Sequence, residues 1–217
     1  MVLDSLCRVT ISRFYRDRHM FEVLEQQVLP ALALQLQTQG ARALSIWSAG
    51  CSSGEEPYSL AIMWQLNLAK QFPDLALQIL ATDIDRAVLR RAEQACYSKS
   101  SLKDFPGNWV EASFERQDDL FCLRQAFRSC VTFREHDVRT PVNEGPFDLI
   151  LCRNLAFTYF DPEIQRKVLQ QIHNVLEEGG ALVIGAHEYL PDEAGLFEPW
   201  LPNDSIYRKR GRLNIPH

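Results

Sequence analysis

The sequence predicts an α/β fold in which a mostly parallel sheet is flanked by helices. Short apolar runs with the character of buried strands alternate along the chain with segments of helical periodicity. Strands that alternate with helices are joined by right-handed crossovers, which gives parallel pairing. The chain has 217 residues, of which 46% are hydrophobic and 24% charged, so it has the length and composition of one globular domain.

The N-terminal part, residues 1–40, is predicted to be a helical lead-in to the main domain. Phe21–Gln37 has apolar residues at helical spacing. Pro30 lies inside this segment and is expected to kink the helix or to begin a second one.

Residues 41–217 are predicted to form the main domain, in which strands and helices follow in a regular order. The expected strands are apolar runs at Ala43–Ser48, Leu75–Thr82, Phe147–Cys152, Ala181–Gly185 and Ser205–Arg210. The expected helices are Glu55–Phe72, Asp85–Cys96 and Pro162–Leu176, the last with Gly179 as its C-terminal stop.

A segment at approximately residues 97–134 interrupts this alternation. Leu120–Leu123 and Ser129–Phe133 are short β-rich stretches on either side of a polar connection. Such an arrangement is typical of antiparallel pairing. The segment is therefore expected to be a small antiparallel β-subdomain inserted into the main domain.

Charge, hydropathy and cysteine usage exclude several classes of protein. A net charge of −5 argues against binding to a nucleic-acid backbone. The sequence has no apolar run of about 20 residues and no secretory signal pattern, so no membrane insertion is expected. The six cysteines form no C-x-x-C pair, and their spacing predicts neither a metal site nor a disulfide framework. The expected location is the reducing cytoplasm, and no oligomeric state is indicated.

A turn of small residues follows the first strand of the main domain. Ala49–Gly54 leaves room for a ligand to approach the backbone, and the helix that follows offers free N–H groups. The turn contains neither G-x-G-x-x-G nor Gly-Lys-Ser/Thr, so the dinucleotide and phosphate-loop patterns fail. Glu55 and Glu56 instead open the helix, where they either only stabilise its positive end or favour a ligand with a cationic centre. S-adenosylmethionine (SAM) has a sulfonium, an amino group and no phosphate, and it fits this pattern.

An acidic residue ends the second strand. Asp83 is placed to accept hydrogen bonds from ribose hydroxyls, as acids in this position do in dinucleotide folds. Asp85 is better placed as the N-cap of the next helix. The two turns together predict a nucleoside-binding edge of the sheet.

Four segments of the chain form a distinctive set of motifs: Thr10–Asp17, Trp47–Ser59, Ala81–Asp85 and Phe147–Asn154, the last followed by Tyr159–Asp161. These segments resemble those of CheR-type chemotaxis receptor methyltransferases, the enzymes that methyl-esterify receptor glutamates. They run in the family's order, from about Thr10 to Glu188, and the Gly-Glu-Glu-Pro-Tyr-Ser string is distinctive. The resemblance implies a Rossmann-like class I SAM-dependent methyltransferase fold, with the lead-in 1–40 covering the cofactor site.

The resemblance also implies the roles of individual residues. Catalytic roles fall on Arg16 and Arg153, which would hold the acceptor, and on Tyr159, which would flank the methyl group. Glu55 and Glu56 would hold the amino-acid end of SAM, Asp83 the ribose, and Asn154 with Arg153 the pocket near the methyl group. The remaining cofactor contacts would come from Thr10, Ser12, Arg16, Ala49, Gly50, Asp137 and Val138.

The expected reaction is transfer of a methyl group from SAM, with S-adenosylhomocysteine as the product. A carboxylate acceptor is already ionised at neutral pH, so it requires positioning rather than a strong base. The implied partner is a protein substrate, such as a chemoreceptor or a receptor-like signalling protein. For each arginine, the alternative is a structural ion pair.

The chain departs from the family pattern at several places, which leaves other functions open. The preceding helical domain is missing, His136-Asp137-Val138 replaces the usual Asn-Leu, and Gly185–Glu188 differs from Gly-His-Ser-Glu. The chain between Asn154 and Tyr159 is one residue longer than the commonest form. The alternatives are a different acceptor, with His136 or His187 as a base, and a non-catalytic SAM- or peptide-binding module.

Overall fold

A mostly parallel sheet forms the centre of the structure, a computed structural model that describes residues 12–202 and 204–211. In these ranges the sheet has seven strands in the order β6-β2-β1-β7-β8-β10-β9. The strands are β1 (Ala43–Ala49), β2 (Ala76–Asp83), β6 (Val131–Glu135), β7 (Phe147–Leu151), β8 (Leu176–Val183), β9 (Phe197–Pro199) and β10 (Ile206–Lys209). Strands β6, β2, β1, β7 and β8 pair in parallel, which confirms the predicted α/β fold.

Helices cover both faces of this sheet. They are α1 (Arg18–Val23), α2 (Leu29–Thr38), α3 (Glu55–Met63), α4 (Arg86–Gln94), α5 (Gly107–Ser113), α6 (Gln125–Arg128), α7 (Ala156–Tyr159) and α8 (Pro162–Val175). Alternate residues of the strands bury toward opposite sides: Ile46 and Leu149 belong to one hydrophobic cluster, and Trp47 and Ile150 to another. In the described ranges no helix combines the length and apolarity that crossing a membrane requires.

The lead-in helix is continuous through Pro30. A π-helical segment, Leu24–Val28, joins α1 to α2, and Pro30 occupies the first turn of α2. Proline is tolerated there because the first turn requires no internal N–H bond. The α-helical pattern resumes at Leu29, beside Pro30, but within one unbroken helical run from Arg18 to Thr38, so no separate second helix begins there.

The small antiparallel sheet is present, but its predicted strand pairing is wrong. The sheet has the order β3-β5-β4, with β3 at Cys96–Ser98, β4 at Phe114–Gln117 and β5 at Leu120–Leu123. The stretch Ser129–Phe133 does not pair with β5; most of it lies in β6, which pairs in parallel with β2. A short β-rich run has the same local sequence pattern in either sheet. The strand with which it pairs depends on the path of the chain through α4 and the small sheet, which returns Ser129–Phe133 to the edge of β2.

The prediction of no disulfide is also wrong. Cys96 and Cys122 form a disulfide, with their Cα atoms 4.0 Å apart. They are 26 residues apart in the chain and become direct neighbours only because β3 and β5 pair in this register. Sequence spacing contains no signal for a pair that tertiary pairing creates.

The predicted role of Gly179 as the stop of the last long helix is wrong as well, although the predicted end of that helix agrees with the structure to one residue. Helix α8 ends at Val175, and Leu176 already belongs to β8. Gly179 has φ +75° and lies within β8, where the register to β7 shifts between Phe147 and Leu149. The positive φ of this glycine therefore accommodates an irregularity in the strand and does not end a helix.

Candidate active site

The turn between β1 and α3 is fixed by backbone hydrogen bonds to the neighbouring strand. The amides of Gly50 and Cys51 donate to the carbonyl oxygen of Thr82, at 2.8 and 2.9 Å. Gly50 has φ +75°, and a Cβ added there would lie 2.6 Å from Cδ2 of Leu155. Any larger residue would meet both an unfavourable backbone conformation and a steric clash.

Asp83 connects this turn to the end of β2. Its Oδ2 accepts the amide N–H of Ser52 at 2.9 Å, and its Oδ1 accepts that of Asp85 at 3.0 Å. The carboxylate lies partly exposed at the carboxyl edge of the sheet. Each oxygen can accept a second hydrogen bond, so this carboxylate can still receive two ribose hydroxyls.

Asp85 has the capping role predicted for it. It is the N-cap of α4, and its Oδ1 accepts the amide N–H of Ala87 at 2.7 Å. Two aspartates only two residues apart therefore have separate structural roles.

Glu55 is the most deeply buried carboxylate beside the turn, with 3% of its surface exposed. Burial raises the pKa of this carboxyl, and hydrogen bonds from Ser12 and Ser53 partly oppose the rise. Its Oε2 is buried without a hydrogen-bond partner among the described residues, as is the Oγ of Ser52. A buried acceptor without a donor is costly, so this geometry suits a ligand that brings donors.

Arg153 forms a bridge between α3 and the N-terminal segment. Its Nη1 donates to Oε2 of Glu56 at 2.9 Å, and its Nη2 donates to Oδ2 of Asp17. Only 4% of the Arg153 side chain is exposed. The structure thus shows the ion pair that was the alternative to a direct contact with substrate.

The N-terminal segment crosses the site in an unusual backbone conformation. Tyr15 and Asp17 have φ values of +57° and +64°, which are uncommon for residues other than glycine. The amide of Tyr15 donates to Oγ of Ser59 in α3 at 3.0 Å. Nη2 of Arg153 lies 3.5 Å from the carbonyl oxygen of Arg16. Arg16 is therefore exposed on a turn that is held by these two contacts, one with Ser59 and one with Arg153.

A second anchored loop follows β7. Asn154 has φ +51°, and its amide donates to Oε2 of Glu188 at 2.9 Å. The amide of Leu155 donates to Oε1 of the same carboxylate at 3.2 Å. Sequence reasoning gave Glu188 no role; the available signals were its position after the last parallel strand and its match to the final Glu of the family's Gly-His-Ser-Glu string.

The segment after β6 lies beside Asp83. The amide of His136 donates to the carbonyl oxygen of Asp83 at 3.0 Å, and its ring centroid lies 6.0 Å from that of Trp47. Burial lowers the pKa of His136. Asp137 pairs with Arg139, whose hydrogen bonds lower the pKa of that carboxyl.

The other predicted site residues differ in burial and in position relative to this edge of the sheet. Val138 is buried in the cluster of Trp47, and Ala49 is buried at the end of β1. Tyr159 has 71% of its surface exposed at the end of α7, and His187 is exposed after β8. Thr10 lies outside the described residues.

Most of the predicted residues therefore meet at one edge of the sheet. The turn at Gly50, the acids Glu55 and Asp83, and the loop at Asn154 all follow the carboxyl ends of parallel strands, where ligands bind in open α/β sheets. The edge is acidic and glycine-lined, and it has no phosphate-binding pattern. These features define the class of Rossmann-like, SAM-dependent methyltransferases.

Comparison with known proteins gives the family within that class. The sequence model described as "CheR methyltransferase, SAM binding domain" matches residues 10–201. The chain belongs to this family, and SAM is its cofactor.

Relatives with similar sequences are chemotaxis methyltransferases of bacteria. The chemotaxis protein methyltransferase of Listeria innocua is 37% identical over 194 residues, which cover 88% of this chain and 71% of that protein. Chemotaxis protein methyltransferase 1 of Pseudomonas aeruginosa is 34% identical over 197 residues, covering 88% and 69%. These matches confirm the family that the four sequence segments indicated.

The solved structures that this chain matches have much lower sequence identity. The SAM-bound amino pentose methyltransferase CalS10 from Micromonospora echinaspora is 17% identical, with a TM-score of 0.39, over 71% of this chain and 48% of that one. A SAM-dependent methyltransferase from Methanosarcina mazei is 17% identical, with a TM-score of 0.41, over 66% and 52%.

Proposed function

We propose that this protein transfers the methyl group of SAM to a glutamate carboxylate of a protein, such as a chemoreceptor or a receptor-like signalling protein. The observation that supports this most is the position of Arg16. It lies exposed on a turn that Arg153 and Ser59 anchor above α3. A guanidinium is the side chain best suited to hold a carboxylate, because it can donate two parallel hydrogen bonds.

The residues of the cleft fit SAM. The Oε2 of Glu55, which has no hydrogen-bond partner within residues 12–202 and 204–211, can accept from the amino group of the ligand, and Asp83 can accept from the ribose hydroxyls. Gly50 and Gly54, with φ values of +75° and +89°, permit the tight turn between β1 and α3 beside these two carboxylates. SAM supplies an electrophilic methyl group on a sulfonium, and the acidic rim favours that positive charge.

The acceptor side requires orientation and exclusion of water rather than a base. A glutamate side chain is ionised at neutral pH and is the nucleophile in that form. Arg16 would orient one carboxylate oxygen toward the methyl group, while Asn154 and Tyr159 would border the approach. Positioning of this kind accounts for a large share of many enzymatic accelerations. The proposed location is the cytoplasm.

Labelled methyl transfer tests the acceptor. The protein is incubated with methyl-labelled SAM and bacterial membranes that contain receptors. We expect membrane protein to become labelled and to release the label as methanol in mild base. Arg16→Ala is expected to reduce this label about 100-fold while S-adenosylhomocysteine still binds. Arg18→Ala is the matched control, because Arg18 is two residues away and pairs with Glu22 in an exposed ion pair.

Each other outcome assigns a different function. Base-stable label would show transfer to an amine and refute the carboxylate acceptor. Binding of S-adenosylhomocysteine without any label would favour a non-catalytic module.

A further inference from the structure

We propose that Glu188 is a positioning residue that sets the cofactor-facing shape of the loop after β7, an inference that rests on the proposed function. The carboxylate is buried, with 8% of the residue exposed. Its role would be to hold Asn154 and Leu155 in the positions that border the bound cofactor. The donors around this carboxylate and the contact between Leu155 and the turn at Gly50 support this role.

The Glu188 carboxylate is surrounded by hydrogen-bond donors from two loops. Oε2 accepts the amides of Asn154, at 2.9 Å, and of Gly185. Oε1 accepts the amide of Leu155, at 3.2 Å, and the hydroxyl of Thr158. Among the described residues no Lys, Arg or His forms an ion pair with it. The loops after β7 and β8 are therefore joined through one anion.

Only a carboxylate satisfies this set of donors. Both of its oxygens are acceptors, whereas a glutamine amide has one acceptor and one donor group. Whichever way the amide turns, its NH₂ group would face at least one backbone N–H. Gly185 is adapted to the same contact, since an added Cβ there would lie 2.8 Å from Oε2 of Glu188 and 2.9 Å from Oδ1 of Asn154.

The loop that Glu188 holds forms one side of the cofactor turn. Asn154 has φ +51°, a left-handed conformation that is uncommon even though asparagine adopts it more readily than most residues. The side chain of Leu155 lies where a Cβ on Gly50 would stand, with Cδ2 2.6 Å from that point. A change in the anchor would therefore move Leu155 relative to the turn at Gly50, and move Asn154 with it.

The test is the affinity for S-adenosylhomocysteine of the whole chain with Glu188→Gln. We expect about 10-fold weaker binding by calorimetry and a loss in kcat larger than the change in KM for the acceptor. In ¹⁵N-labelled protein, the amide signals of Asn154, Leu155 and Gly185 should shift upfield. A milder variant, Thr158→Val, removes a single donor and should weaken binding about 3-fold without risk to folding.

Asp148→Asn is the matched control. Asp148 is also a buried carboxylate that accepts a backbone N–H, that of Ser45 at 2.8 Å. It lies toward the opposite end of β7, away from the cleft, so this variant should bind S-adenosylhomocysteine as the wild type does.

Unchanged affinity in both Glu188→Gln and Thr158→Val would overturn the positioning role. Equal weakening in Asp148→Asn would also overturn it, because the effect would then be one of general stability. If the wild type itself bound no S-adenosylhomocysteine, the proposed function would fail. If the wild type bound it and the variants bound it equally well, only the positioning role of Glu188 would fail.

Discussion

Gly50→Ala is expected to weaken the binding of S-adenosylhomocysteine by at least about 100-fold. The backbone there has φ +75°, which costs a residue with a Cβ about 1–2 kcal/mol. The new methyl group would also stand 2.6 Å from Cδ2 of Leu155, so the turn and the loop after β7 would have to separate. Both surfaces belong to the proposed cofactor site. Calorimetric titration of the folded variant measures the loss.

Gly40→Ala separates the steric effect from the backbone strain. Gly40 has a nearly identical φ of +71°, but an added Cβ there meets no atom within 4 Å. This variant should lose a similar amount of stability from strain and keep the wild-type affinity. Equal affinity in Gly50→Ala and the wild type would show that the turn does not line the cleft.

Arg153→Met is expected to lower the free energy of unfolding by about 3 kcal/mol, because it leaves the carboxylates of Glu56 and Asp17 without their shared cation. The N-terminal turn should then detach, since Arg153 also contacts the carbonyl oxygen of Arg16. Urea denaturation measures the stability, and faster trypsin cleavage after Arg16 reports the detachment.

Arg124→Met is the control for this variant. Arg124 pairs with Glu115 at 2.7 Å, with 43% and 59% of the two side chains exposed. Exposed pairs contribute at most about 1 kcal/mol, so stability should hardly change. A similar small loss for Arg153→Met would mean that the bridge does not hold the N-terminal segment.

The cofactor half of the site could be predicted from the sequence because its signals are local. The turn around Gly50 and the acid at Asp83 each follow a recognisable strand, and parallel strands bring their carboxyl ends to one edge. Periodicity and the order of elements were therefore enough to place these residues together.

The partners of side chains could not be predicted in the same way. Arg153 is 97 residues from Glu56 and 136 from Asp17, and nothing in its local sequence distinguishes an ion pair from a substrate contact. The assignment of Ser129–Phe133 failed because a short β-rich run fits either sheet. Cys96 and Cys122 are opposed only through the register of β3 and β5.

Glu188 illustrates the same limit at the site itself. Its carboxylate gains a role only when the loops after β7 and β8 approach each other, more than thirty residues apart in the chain. In the sequence, Glu188 stands where the family has the last residue of Gly-His-Ser-Glu, but that match does not indicate which donors the carboxylate meets.

Calorimetric titration with S-adenosylhomocysteine of the wild type, Asp83→Ala and Asp85→Ala tests the acidic cleft most directly. We expect the wild type to bind, Asp83→Ala to bind about 100-fold more weakly, and Asp85→Ala to bind as the wild type does. The last variant loses only the N-cap of α4, at about 1 kcal/mol of stability. Absence of binding by the wild type, or equal affinity in Asp83→Ala, would contradict the site described above.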